Sequence, residues 1–141
     1  MAYQTTEPPT EAQFLPEYLS RELRNIEADL RTPTWITATL QNSWVVFGST
    51  FASLQYRKER DNRVWFRGVI KDGTTTDETT ICTLPEGYRP VYQVIFPVLT
   101  NPNVITRLDL STAGDLSIET TGGGTTGSWI SLDGLSFMAE Q

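Results

Sequence analysis

The sequence predicts a mainly β protein: an N-terminal arm and a short coiled-coil helix, followed by an antiparallel β-sandwich of jelly-roll type. Three observations carry this prediction. From Thr34 onward, short runs rich in Val, Ile, Thr, Trp, Phe and Tyr alternate in polarity, which is the period of a half-buried strand. Clusters of Gly, Asn, Asp and Pro interrupt these runs, leaving about eight or nine short strands separated by turn signals, the pattern of a sandwich or barrel. Ahead of them, Pro16 to Arg31 carries the helical period instead. The 141 residues suffice for one ordinary domain with its own core. There is no repeat of fixed period, which argues against a solenoid or propeller.

Residues 1–14 are rich in Thr, Glu and Pro and have no apolar period. Such a segment cannot build a core alone, so it is expected to be an extended arm: either a disordered tail or an attachment arm that becomes ordered on a larger assembly, with Tyr3 and Phe14 as the residues that dock it. Residues 15–33 are the helical segment. Pro16 suits a first turn, and Pro33 stops the helix. Leu19, Leu23, Ile26 and Leu30 recur at steps of four, three and four, so they share one face. Leu19 and Ile26 occupy d positions, and Leu23 and Leu30 occupy a positions. A helix this short is marginal in water unless its stripe packs on something. The partner is either the sheet of the same chain or the same helix in sister chains. The helix precedes all the β-structure and so can project as a stalk, and Leu at a with Ile at d moves parallel coiled coils away from dimers. Both points favour sister chains.

Residues 34–141 form the expected sandwich. Thr34 to Leu40 and Trp44 to Phe47 read as its first strands. From Phe51 to Lys58, Leu54 and Tyr56 face one way, and Gln55 and Arg57 the other. Arg60 to Arg63 is a hairpin turn, because Asp61 and Asn62 tolerate left-handed backbone angles. The return strand is expected to be continuous, with Val64, Phe66, Gly68 and Ile70 on one face and Arg63, Trp65, Arg67 and Val69 on the other. Asp72-Gly73 opens a polar loop, Thr74 to Glu78. Ile81 to Leu84 alternates and is ended by Pro85, which has no amide hydrogen to give. Gly87 can take a positive φ, and Pro90 holds Arg89 extended. Val91 to Leu99 is apolar on both faces and reads as a central strand covered on two sides. Asn101-Pro102-Asn103 and Ala113-Gly114-Asp115 are turns flanking a strand in which Val104, Thr106, Leu108 and Leu110 share a face. Gly122 to Gly127 is a flexible loop. Trp129 to Leu132, the Asp133-Gly134 turn and Leu135 to Phe137 end the pattern.

Composition narrows the chemistry. There are no histidines, which removes the commonest general base and metal ligand. Ser-His and Cys-His nucleophile pairs cannot form. The single cysteine, Cys82, excludes an intrachain disulfide and lies in an apolar strand, as a small core residue does. Two carboxylates alone serve a glycosidase, but Asp61, Asp72, Asp77, Glu78, Asp115 and Asp133 all sit in turn contexts. Gly122 to Gly127 lacks the Lys and Ser/Thr of a phosphate-binding loop, and no calcium-loop pattern is present. No enzyme, cofactor or metal is expected. The net charge of −6 disfavours nucleic acid and anionic lipid; only the region of Arg57, Lys58, Arg60 and Arg63 is basic. No apolar stretch approaches the ~20 residues of a membrane span. No secretory signal opens the chain, so a protein made in a cytoplasm is expected, one that stays there in soluble form or leaves the cell by a route other than secretion, of which lysis is one. Trp65, between Arg63 and Arg67, faces away from Phe66; such a residue stacks on a sugar or fills a subunit interface. With Trp65, the polar loop residues Asp61, Asn62, Thr75 and Thr125 are the candidate saccharide contacts.

One ordered set of segments carries a family resemblance: Leu40-Gln41-Asn42-Ser43-Trp44, Leu54 to Lys58, Val64 to Gly73, the corner Leu84-Pro85-Glu86-Gly87-Tyr88-Arg89-Pro90, and Trp129 to Phe137. From Leu40 to the C-terminus this set resembles small tail-fibre and receptor-binding proteins of tailed bacteriophages. The resemblance implies a β-sandwich head on a trimeric virion appendage, and it selects three chains for the helix, with Leu19, Leu23, Ile26 and Leu30 as the trimer interface. The expected partners are tail or baseplate proteins through the arm and a host-surface polysaccharide or protein through the head, bound without cleavage. A baseplate or capsid decoration protein with no receptor is the second reading. A carbohydrate-binding module of a larger enzyme is a third, disfavoured by the Met1 start.

Overall fold

The structure, a computed structural model, describes residues 15–101, 103–120 and 129–139. The chain divides into two compact units, Met1–Pro33 and Thr34–Gln141. In the first, α1 spans Leu15–Leu30, with Glu17 in its first turn, where a carboxylate complements the helix dipole. Its predicted seam is open to solvent: Leu19 is 51%, Leu23 67%, Ile26 36% and Leu30 59% exposed. An apolar stripe left open in a single chain is unusual for a helix that needs packing to persist. Tyr3 and Phe14 lie outside the described residues.

The second unit holds eleven strands among the described residues: β1 Ile36–Thr37, β2 Val45–Val46, β3 Gln55–Lys58, β4 Arg63–Arg67, β5 Val69–Lys71, β6 Thr79–Thr83, β7 Val94–Thr100, β8 Val104–Leu110, β9 Asp115–Glu119, β10 Trp129–Ser131 and β11 Ser136–Met138. They form two antiparallel sheets, ordered β1-β3-β4-β11 and β2-β5-β10-β7-β8-β9-β6. The inward positions are those the alternation marks. Val64 and Phe66 of β4, Phe96 and Val98 of β7, Leu108 and Leu110 of β8, and Leu116 and Ile118 of β9 are all buried in one core. Three phenylalanines tie the sheets together. Phe66 lies 6.4 Å from Phe96 and 5.9 Å from Phe137, and Phe96 lies 6.4 Å from Phe137, centroid to centroid. Phe66 and Phe137 come from one sheet and Phe96 from the other, so this is β-sandwich packing.

The expected single return strand from Arg63 to Ile70 is two strands in different sheets. β4 pairs with β11 in the small sheet, and β5 pairs with β10 in the large one. The ribbon crosses between sheets at Gly68, whose φ is +122°. A Cβ there would collide with the Ser53 carbonyl, so only glycine fits. The amide of Gly68 donates to Asp133 Oδ1 at 2.8 Å, and the amide of Leu132 donates to the Gly68 carbonyl at 2.9 Å. The alternation keeps its phase through the crossing: Ile70 joins Val64 and Phe66 in the core, and Val69, on the other face as expected, is nevertheless buried, beside Phe47 and Phe51.

Two further expectations change. In β6 the register shifts between Thr80 and Cys82, and this irregularity places Ile81 and Cys82 in the core side by side. Burial pushes the Cys82 thiol up to about 12, with the nearby Asp115 carboxylate adding to the effect. The run Val91 to Leu99 becomes a strand only from Val94. As expected it is central, between β10 and β8, but one of its faces is open: Ile95 is 56% exposed, and Leu99 is also exposed. β7 pairs along its whole length with β8 and at Thr100 with β10, and in-plane pairing of this kind does not cover its outer side chains.

Candidate functional site

The Leu84–Pro90 corner is a structural staple. Gly87 has a φ of +86°, and the Tyr88 amide closes the turn on the Pro85 carbonyl at 3.1 Å. The Leu84 amide donates to the Gly114 carbonyl at 2.8 Å, and Arg89 Nε donates to the Leu84 carbonyl at 2.9 Å. Lys58 Nζ donates to the Gly87 carbonyl at 2.8 Å and sits 5.2 Å from the Tyr88 ring centroid. Tyr88 in turn meets Tyr56 edge-on at 5.2 Å. The corner therefore fastens the β3–β4 hairpin and the β8–β9 turn to one end of the sandwich.

On that hairpin the outward residues form a cationic and aromatic surface. Residues directly opposite in antiparallel strands share a face. Trp65 lies between Arg57 of β3 and Ser136 of β11, Arg67 is opposite Gln55, and Arg63 is opposite Met138. Trp35, just ahead of β1, is clamped by two guanidiniums: Arg57 Cζ lies 4.5 Å and Arg67 Cζ 4.3 Å from its ring. The guanidiniums are held in place from the side. Arg67 Nε donates to Gln55 Oε1 at 2.7 Å, Arg63 Nη1 donates to Ser136 Oγ at 3.0 Å, and Arg57 pairs with Glu59 at 2.9 Å. Both indoles keep part of their surface in solvent.

The seven-stranded sheet has a different outer face. Phe47 and Phe51 meet edge-on at 5.2 Å. With Val69, Leu99, Trp129, Ser131 and Asp133 they line a pocket of about 280 Å³. Beyond it, Leu99 is paired with Ile105, which is 69% exposed. Toward β9 the face turns polar: Arg107 Nη2 donates to Asp109 Oδ2 at 2.7 Å, and this bond raises the pKa of an already strong base.

Comparison with solved structures finds this fold in two phage proteins. The receptor binding protein (gp15) of Listeria phage PSA matches with a TM-score of 0.70 at 20% identity, over 96% of this chain and 82% of that one. The head domain of phage bIL170, from work on the receptor-binding domains of lactococcal phages, matches with a TM-score of 0.52 at 18% identity, over 77% of this chain and 100% of that one. The fold is that of phage receptor-binding proteins. No family model and no curated protein matches the sequence.

The residues singled out from the sequence do not converge on one spot. Asp61 and Asn62 form the β3–β4 turn, where Asp61 Oδ1 accepts from the Arg63 amide at 3.0 Å and the Ala139 amide donates to the Asn62 carbonyl at 2.8 Å. That is the corner end of the sandwich. Thr75 lies in the β5–β6 loop. β6 enters beside Ile118 and leaves beside Asp115, so its entry loop is at the opposite end. Trp65 is on the face between these ends, and Thr125 lies outside the described residues. Of the acids flagged in turns, Asp77 Oδ1 accepts from the Thr120 amide at 2.7 Å, and Asp115 Oδ1 accepts from the Thr83 hydroxyl of the neighbouring strand at 2.7 Å. The clamp on Trp35 was missed as a unit. Its signal was the hairpin turn at Asp61, which fixes Arg57 opposite Trp65.

Proposed function

We propose that this protein is a bacteriophage virion protein, a short tail-fibre or receptor-binding subunit that attaches to the host surface without cleaving bonds. The observation that carries this reading is the shared fold, which spans 96% of the chain at a TM-score of 0.70 with a phage receptor binding protein. In this reading residues 1–14 attach the subunit to tail or baseplate proteins through Tyr3 and Phe14, residues 15–33 trimerise through Leu19, Leu23, Ile26 and Leu30, and residues 34–141 form jelly-roll-like heads. Two open apolar surfaces support the trimer. One is the helix seam; the other is the Ile95, Leu99 and Ile105 patch on the large sheet. Each would be covered by a sister chain, which would supply the second cover that the two-faced β7 sequence calls for. Three heads on one stalk make weak contacts strong, an avidity gain on the order of 10²–10⁴. The protein would reside in the virion after synthesis in the host cytoplasm. Among the described residues no helix is long and apolar enough to cross a membrane.

The test is competition. Purified full-length protein is expected to coat host cells and to reduce infection by the parent phage. Protein that binds phage particles and leaves cells bare would instead identify a baseplate or capsid decoration protein.

A further inference from the structure

We propose that the outer face of the four-stranded sheet is a binding site for an acidic glycan, a saccharide bearing carboxylate or phosphate groups. Trp65 would provide stacking surface, Trp35 would hold Arg57 and Arg67 in place, and Arg57, Arg63 and Arg67 would pair with the anions. This deepens the receptor-binding reading and rests on it for its biological role.

Charge placement is the first argument. The chain carries a net −6. Yet of the Lys and Arg residues beyond Pro33, Arg57, Lys58, Arg60, Arg63 and Arg67 all fall on one hairpin, while Lys71, Arg89 and Arg107 are scattered. The hairpin holds two acids, Glu59 and Asp61; Glu59 is paired with Arg57 and Asp61 caps the turn. A concentration of cations on an acidic body focuses the local field on anions.

Geometry is the second. A guanidinium stacked on an indole keeps its N–H donors in its own plane, available to a carboxylate or phosphate beside the ring. Each Arg has five such donors; the bonds to Ser136 and Gln55 occupy one each on Arg63 and Arg67, and Arg57 is ion-paired with Glu59. Those bonds hold the side chains in place before any ligand arrives, which lowers the ordering cost of binding.

The shape of the surface selects the ligand class. It is an open sheet face crossed by three paired strands, whereas extended peptides add to a free strand edge or lie in a groove. Nucleic acid is matched by longer basic stripes on basic domains. The partly exposed Trp65 indole among fixed guanidiniums suits a sugar ring, whose C–H face stacks while its acid group is paired.

The full chain is to be titrated, following tryptophan fluorescence, with four probes: a galacturonic acid hexamer, a phosphorylated mannan oligosaccharide, neutral maltohexaose and hexaglutamate. At least one acidic glycan is expected to bind about ten-fold or more tightly than maltohexaose, the scale of one or two charge-assisted hydrogen bonds, and to weaken as salt rises. Which of the two binds identifies carboxylate or phosphate as the recognised group. R63Q/R67Q and, separately, W65A should each lose that preference with an unchanged unfolding midpoint. R63Q alone, which leaves the Trp35 clamp intact, should lose part of it. Failure of both acidic glycans to bind, hexaglutamate binding equally well, or binding that survives R63Q/R67Q overturns the proposal. Cell coating separates the two levels. If R63Q/R67Q coats host cells as well as the wild type, the site is wrong and the receptor-binding reading stands. If wild-type protein binds an acidic glycan but coats no host cells, the site stands and the receptor-binding reading falls.

Discussion

The two sheets of the sandwich present opposite chemistries to the outside. On the seven-stranded sheet the outward residues Ile95, Leu99 and Ile105 are apolar and exposed, beside a pocket walled by Phe47, Phe51 and Trp129. On the four-stranded sheet the outward residues include Gln55, Arg57, Arg63, Trp65 and Arg67, with Ser136 and the exposed Met138 beside them. Inward, both sheets pack the same kinds of side chain into one core. Covering apolar surface with protein gains about 25 cal/mol per Å². Covering guanidiniums gains nothing unless an anion comes with the cover, because their desolvation is costly. Inward positions thus specify the fold, and outward positions specify what it meets; in the reading proposed above, that is a second protein surface on one side and a polar ligand on the other.

The largest expected effect breaks both faces at once. Phe66→Ala removes the ring that touches both Phe96 and Phe137. A loss of about 3–5 kcal/mol is expected, read by urea denaturation. Gly68→Ala comes next, at about 3 kcal/mol, since it forces a side chain onto a positive φ and against a backbone carbonyl. It should uncouple the sheets at the strand crossing.

Smaller still is a pH effect confined to the core. The Cys82 thiol is neutral when protonated, and burial raises its pKa from 9.0 to about 12. In the unfolded chain the thiol ionises first, so the native state holds the extra proton. Stability is therefore fully present below pH 9 and declines as pH rises toward 12, by up to ~1.4 kcal/mol per pH unit. Burial also raises the Tyr56 pKa, so comparison with Cys82→Ala, whose slope should be shallower, isolates the thiol. The smallest effects sharpen the contrast between the faces. Ile105→Gln and Arg63→Gln should each change stability by less than ~0.5 kcal/mol. Ile105→Gln is expected to weaken oligomer formation and spare glycan binding, and Arg63→Gln to do the reverse, as native mass spectrometry and titration would show.

Much of this was legible in the sequence because alternation is local. The faces of β3, β4, β8 and β9 follow from their own residues, and the Asp61-Asn62 and Asp133-Gly134 turns follow from backbone preferences. The rest depends on long-range partners. Gly68 interrupts a pattern that continues correctly on both sides, and only the opposing Ser53 carbonyl and Asp133 carboxylate reveal a crossing between sheets. Ile81 and Cys82 are both buried because of a register shift against β9. The clamp on Trp35 joins three residues distant along the chain. That Asp61 and Thr75 lie at opposite ends depends on strand register, which composition does not encode.

The leucine seam of α1 is the point on which the appendage reading turns, and native mass spectrometry of the full chain tests it most directly. Three copies of the 15.8 kDa chain are expected, falling to single chains in Leu23→Asp/Ile26→Asp with the β body still folded. A wild-type chain that is single at micromolar concentration, or a trimer indifferent to both aspartates, would contradict it.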